Sequence, residues 1–191
     1  MSLINLAARE IHAKIVYYGP GLSGKTTNAL NIHQRLPAEA RGPMTSIETE
    51  SERTLFFDFV PLGAARVGGY TVQFHLYTVP GQAQYARTRR AILGGADGIV
   101  FVADAAPDRQ DANRASLAEL ATHLRHHARD IATVPLVFQY NKMDLEHAVP
   151  AAILDRTLNP DNRPRVEAMA LRGNGVAETL REVCRLAARR L

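Results

Sequence analysis

The sequence predicts an α/β fold. It reads as a single domain over residues 1–191, with a mostly parallel six-stranded sheet, one antiparallel edge strand and helices on both faces. Three observations carry that expectation. Short β-rich segments alternate along the chain with segments of helical period, as when helices connect parallel strands. Residues 98–103 are continuously apolar and 134–140 nearly so, as in strands buried on both faces. A glycine-rich turn, 19–27, joins the first such strand to the first helix.

Residues 12–18 are β-rich and end at that turn, which makes them the first strand. From 26 to about 36, Ala29, Leu30, Ile32 and Leu36 line one side of a helix that Pro37 stops. Residues 37–53 hold few large apolar side chains and no clear period, so they read as an unusually long loop, a kind usually functional or disordered. Strand 54–60, turn residues 63–69 and strand 70–79 read as a hairpin that supplies the antiparallel strand. In its second arm Val72, Phe74 and Leu76 alternate with Gln73, His75 and Tyr77, giving one buried face and one partly wet. His75 reads as a strand-surface residue, because no Cys or second His stands at ligand spacing nearby in the sequence. Pro80, Gly81 and Gln82 open a glycine-hinged loop into a short helix that becomes apolar at Ile92 and Leu93. Leu117, Leu120, Ala121 and Leu124, at i, i+3, i+4 and i+7, make 111–127 an amphipathic helix. Strand 134–140 closes on Asn141, Lys142, Met143 and Asp144, and a short helix follows over 150–158, with Pro150 suited to its first turn. Residues 165–170 are the last strand, and Val176, Leu180, Val183 and Ala187 mark the final helix. In such sheets ligands sit outside the carboxyl ends of the strands, where all the motifs below fall.

Composition excludes several classes. At 191 residues and 46% hydrophobic, the chain suffices for one well-buried core. The net charge is +4 with 22% charged residues of both signs interspersed, whereas a nucleic-acid footprint gathers Lys and Arg on one face. Only Arg185, Arg189 and Arg190 cluster, and cations at a helix end complement its dipole, so no nucleic-acid partner is expected. A single cysteine, Cys184, rules out an internal disulfide and fits a reducing compartment; its place on a helical apolar stripe argues for packing. Secretory-signal character is missing from the first residues, and no run nears the ~18 apolar residues of a membrane span. Neither a Gly at position 2 nor a terminal cysteine box offers a lipid anchor. The expected location is the cytoplasm, with no membrane span.

The turn GPGLSGKTT fits G-x-x-x-x-G-K-[ST] through Gly19, Gly24, Lys25 and Thr26. Glycines allow backbone turns closed to other residues, so the amides of Gly19, Gly21, Leu22, Ser23, Gly24 and Thr27 can converge on phosphate oxygens. Lys25 reaches the β- and γ-phosphates as a point charge, Thr26 offers its hydroxyl to Mg²⁺, and the helix start adds its positive end. The loop is an anion socket. It does not say which nucleotide it holds.

Asn141, Lys142 and Asp144 address that question, for NKxD after a buried strand resembles the guanine-recognition motif of Ras-like GTPases. The resemblance implies a six-stranded P-loop NTPase domain of the small-GTPase kind. In it the aspartate accepts two hydrogen bonds from guanine, the lysine stem packs on the base, and the asparagine ties base and phosphate loop together. Adenine lacks the matching donors and would leave a buried carboxylate unsatisfied. Residues 169–171 occupy the place of the loop that caps the guanine oxygen, so Ala170 joins the nucleotide-binding set without the usual serine-alanine-lysine wording.

TLFFDF and LYTVPGQ, with YYGPGLSGKTT and QYNKMDL, resemble the MglA family, bacterial Ras-like GTPases of cell polarity and gliding motility. What the resemblance implies is a GTP-binding and GTP-hydrolysing switch, slow without an activating protein. GTP and GDP are its ligands and Mg²⁺ its cofactor, held by Thr26 and Thr54. Gly81 gives its amide to the γ-phosphate and Gln82 orients water. Arg53 is a built-in arginine finger, against the plain reading of a solvated arginine, and Thr45 and Thr49 are other threonines that could take the switch position if the register shifts. Implied partners are a roadblock-type, MglB-like activating protein and polarity or motility effectors. One departure stands out: Thr78 replaces the aspartate of D-x-x-G that supports Mg²⁺ in ordinary Ras-like proteins. It keeps open a non-hydrolysing nucleotide-binding adaptor, while a P-loop small-molecule kinase is the remaining alternative.

Overall fold

The computed structural model describes residues 3–48, 53–59 and 66–191. Nine strands among these form one sheet. The first are β1 (Leu3–Asn5), β2 (Glu10–Tyr18), β3 (Arg41–Glu48), β4 (Arg53–Phe59) and β5 (Arg66–Val67). They are followed by β6 (Tyr70–Thr78), β7 (Gly98–Asp104), β8 (Leu136–Asn141) and β9 (Arg165–Ala168). Five α-helices connect them: α1 (Lys25–Arg35), α2 (Ala86–Leu93), α3 (Gln110–His126), α4 (Ala151–Leu158) and α5 (Val176–Ala188).

The main order is β3-β4-β6-β2-β7-β8-β9, with β1 paired to β2 and β5 to β6. β6, β2, β7, β8 and β9 are mutually parallel, while β4 runs antiparallel to β6 with Phe56 opposite Tyr77. The six expected strands are all present. β5 turns into β6 through Gly68 and Gly69, both with positive φ, as a two-residue hairpin requires.

The segment read as a long structureless loop is different from expectation. Its middle is β3, which pairs antiparallel with β4 and carries the sheet one strand further. RGPMTSIE has no alternating apolar face to announce a strand; the open edge of β4 supplies its hydrogen bonds instead. Thr49 and residues 60–65 lie outside the described residues.

Period decides which side each strand residue takes. Ile11, Ala13, Ile15 and Tyr17 of β2 join Ala29 and Ile32 of α1 and Val176, Val183 and Ala187 of α5 in one core. Val16 and Tyr18 face the other way and pack with Leu93, Leu120, Leu124 and Leu154 from α2, α3 and α4. Cys184 packs against the first of these cores, as its stripe predicted. β7 and β8 are buried along their whole length, covered from both sides. His75 stacks on His12 of the neighbouring strand, with Nδ1 of His12 2.8 Å from Nε2 of His75. The parallel strands end together at one edge, and β4, being antiparallel to β6, begins there.

Candidate functional site

β2 runs straight into the glycine turn, and α1 begins as soon as that turn ends. Gly24 caps the helix at φ 98°, in the left-handed region, and a Cβ there would lie 2.2 Å from the Asn141 amide nitrogen. Lys25 is buried, and its ammonium donates to the loop's own carbonyls at Gly19 (2.9 Å) and Pro20 (2.6 Å). Ser23 Oγ is buried without a hydrogen-bond partner. A cation folded into the loop, an orphaned hydroxyl and the positive end of a helix suit an anion. Leu22 is exposed on the outside of the turn, and Thr26 and Thr27 stand in the first turn of α1.

The NKxD residues close the site from the end of β8. Asn141 donates to Ser23 O (2.8 Å) and accepts from the Ala170 amide (2.9 Å), so one side chain fastens the phosphate loop to the loop after β9. Ala170 is buried, and its carbonyl accepts from Asn31 of α1 at 2.9 Å. Lys142 takes φ 67° and sets its ammonium 2.5 Å from the fully buried carboxylate of Asp104, at the tip of β7. Asp144 is exposed, and its carboxylate lies 3.7 Å from the Arg172 guanidinium.

The loop after β6 leans on the phosphate loop from the other side. Thr78 is fully buried at the end of β6. A Cβ at Gly81 would meet Gly21 N at 2.3 Å, so only glycine permits this approach of two backbones. Gln82 follows, its carbonyl held with that of Pro80 by Arg89 of α2; the Pro80 bond is 3.0 Å. The other side of the Arg89 guanidinium grips Glu119 of α3 at 2.7 and 2.9 Å, and the Tyr18 hydroxyl donates to the same carboxylate at 2.8 Å. Burial alone would raise the Glu119 carboxyl, but these hydrogen bonds outweigh it and hold the group below the ordinary carboxylate range.

The backbone of Arg53 and Thr54 opens β4 opposite Glu48 and Ile47 of β3, at the edge where β6 ends. Their side chains lie outside what is described. Thr45 sits within β3, opposite Phe56. The sequence motifs thus come together along one edge. Three neighbours escaped sequence reading: Asp104, which holds Lys142; Arg109, whose guanidinium donates to Gly21 O at 2.6 Å; and Arg89, which holds the loop after β6. An acid at the carboxyl end of a wholly apolar strand is a signal that points to Asp104. Arg109 and Arg89 stand in polar helical sequence with no such signal.

Residues 2–185 match the ADP-ribosylation factor family. The chain is 48% identical over 186 residues to the "Mutual gliding-motility protein MglA" of Myxococcus xanthus (strain DK1622), covering 97% of this chain and 95% of that protein. It is also 33% identical over 99 residues to "ADP-ribosylation factor-like protein 4D" of Homo sapiens, covering 52% of this chain and 45% of the relative. The phosphate loop, the NKxD turn fastened to it and a match over nearly all of the sequence agree: the chain belongs to the ADP-ribosylation factor family of Ras-like small GTPases, and is a GTP-binding, GTP-hydrolysing switch.

Proposed function

We propose that this switch acts in bacterial cell polarity or gliding motility, and that its site works as follows. The amides of Gly19, Gly21, Leu22, Ser23, Gly24 and Thr27 hold the phosphates together with Lys25, which leaves the carbonyls of Gly19 and Pro20 when a triphosphate arrives. Asp144 selects guanine, Lys142 flanks the base, and Asn141 and Ala170 complete its pocket. The observation that supports this most is the Asn141 side chain, bonded to Ser23 O on one side and to the Ala170 amide on the other. The glycine turn and the loop after β9 are thereby tied to each other through one side chain.

Mg²⁺ is proposed on Thr26 and Thr54, whose hydroxyl oxygens suit a hard cation. Held there, it would supply positive charge that offsets the charge developing on the phosphates. Thr78 stands where ordinary Ras-like proteins carry the supporting aspartate, and Asp104 is engaged by Lys142. In hydrolysis Gly81 meets the γ-phosphate, Gln82 orients the attacking water, and Arg53 stabilises charge from within the same chain. A roadblock-type, MglB-like partner is proposed as the activator, and polarity or motility effectors as readers of loops that the γ-phosphate orders. The name of the Myxococcus relative, together with 48% identity, supports the motility assignment.

The test is nucleotide identification on the purified protein, followed by mant-GDP competition and single-turnover GTP hydrolysis with and without the roadblock partner. GTP and GDP compete and ATP does not; the partner speeds hydrolysis; Asp144→Ala loses guanine affinity, and Gln82→Leu and Arg53→Ala bind GTP but lose most stimulated turnover. Equal competition by ATP removes the base assignment, and full stimulated turnover in either catalytic variant removes that residue.

A further inference from the structure

We propose that Arg89 is a positioning residue for GTP hydrolysis, one that aims the 80–82 loop by holding the carbonyls of Pro80 and Gln82. The inference rests on the reading of Gln82 and Gly81 above.

Arg89 is 3% exposed, so protein groups alone must satisfy its guanidinium. The planar fork divides its work. Nε and Nη2 grip both oxygens of Glu119, while Nη1 takes both loop carbonyls. An ion pair that served only to join α2 to α3 would be complete in the first half of that arrangement. Its second half addresses only the loop that carries Gln82.

Peptide geometry gives the loop carbonyls their importance. The carbonyl of Pro80 and the N–H of Gly81 lie trans across one planar unit, so a carbonyl turned toward Arg89 directs the Gly81 amide to the opposite side. Gly81 meanwhile lies against Gly21, where a Cβ would come within 2.3 Å of the backbone nitrogen. The reference point of the clamp is the phosphate loop itself. Glu119 accepts from Tyr18, the residue before Gly19, and Tyr18 OH is 3.2 Å from His123 Nδ1. Tyr18, Glu119 and Arg89 therefore set loop 80–82 relative to Gly19–Gly21 through a chain of side chains between β2, α2 and α3, buried at Tyr18 and Arg89 and half-buried at Glu119. Lysine in place of Arg89 keeps the charge but not the fork, and one ammonium cannot reach both carbonyls and both carboxylate oxygens in a plane.

The experiment is a mutant cycle on the full chain, read by single-turnover GTP hydrolysis at saturating nucleotide and by mant-GDP affinity. It uses the parent protein, Arg89→Lys, Gln82→Leu and the double variant. Arg89→Lys is expected to slow hydrolysis about tenfold to a hundredfold, the scale of a misplaced reacting group, with mant-GDP affinity changed by less than about threefold. In the Gln82→Leu background the same substitution slows hydrolysis much less than in the parent, because most of its effect passes through Gln82 and only the share carried by the Gly81 amide remains. Glu119→Gln, which keeps acceptors for Arg89 and Tyr18, slows hydrolysis less and in the same Gln82-dependent way. Hydrolysis at the parent rate in Arg89→Lys, parallel loss of rate and GDP affinity, or independent slowing in the double variant each overturns the proposal. Failure of both Arg89→Lys and Glu119→Gln to fold does so too, since it leaves Arg89 a structural role. Gln82→Leu at the parent rate instead removes the Gln82 reading, which separates the two failures.

Discussion

At Gly24 and Asn141, two residues 117 positions apart in sequence share one small volume, and what each can be is set by the other. Gly24 holds φ 98° and leaves room for the Asn141 amide, which uses that room to reach Ser23 O. Alanine at 24 is strained by its backbone alone, at about 1–3 kcal/mol for a non-glycine residue in such a region. Its Cβ also displaces the amide at 2.2 Å, which breaks the bond between the NKxD turn and the phosphate loop. Gly24→Ala is therefore expected to lower stability in urea unfolding and to weaken mant-GDP binding about tenfold or more, one lost bond of the charge-free kind plus strain. Asn141→Ala shares the loss of affinity without the backbone strain. Unchanged mant-GDP affinity in Gly24→Ala would show that the two loops find each other without this contact.

Elements meet through polar as well as apolar contacts. Gln139 of β8 is fully buried, donates to Asn28 Oδ1 and Thr179 Oγ1, both at 2.9 Å, and accepts from Asn28 Nδ2 at 2.8 Å. One side chain thus registers the helix that starts at the phosphate loop against the strand that ends at the base motif. Gln139→Leu keeps the volume but strips Asn28 of its reciprocal partner, and a cost of about 1–3 kcal/mol in urea unfolding is expected. A cost near zero would mean that the bonds from Asn28 to Gly24 O and from Thr179 to Gly175 O already satisfy those groups. Much at this scale was legible in the sequence: β2, β6, β7 and β8 by period or apolar run, α3 and α5 by their stripes, and the site by two motifs at strand ends. β3 was not, because RGPMTSIE is a strand only by virtue of β4 beside it, a pairing that no local pattern encodes. Nor was the Arg89 clamp legible, since its acceptors on the loop are backbone carbonyls, which look alike in any sequence.

For the molecule as a whole, the sheet separates two cores, and Arg89 and His123 are buried on the side that α2 and α3 cover. There His123 faces the Tyr18 hydroxyl and the Glu119 carboxylate, with Arg89, Arg90 and His126 also acting on it. Burial first, then those three cations, keep the imidazole below the ordinary value of 6.5, with only Glu119 opposing. The unfolded chain therefore takes up this proton before the folded one does. Stability is full above about pH 6.5 and falls as the pH drops from there toward the folded-state value, because the unfolded state binds more protons in that window. Glu119 adds a second loss at lower pH. Its folded-state carboxyl is held below 4.5, so its contribution is complete above that value and disappears as the pH falls through the depressed one. Urea unfolding at pH 7.5 and 5.5 separates these steps. The parent protein is less stable at the lower pH, and His123→Gln, which keeps a polar side chain without the titration, shows a smaller decline between the same two points. An equal decline in both proteins would move the proton uptake to another group, and would leave the core around Tyr18, Glu119 and Arg89 indifferent to pH in that range.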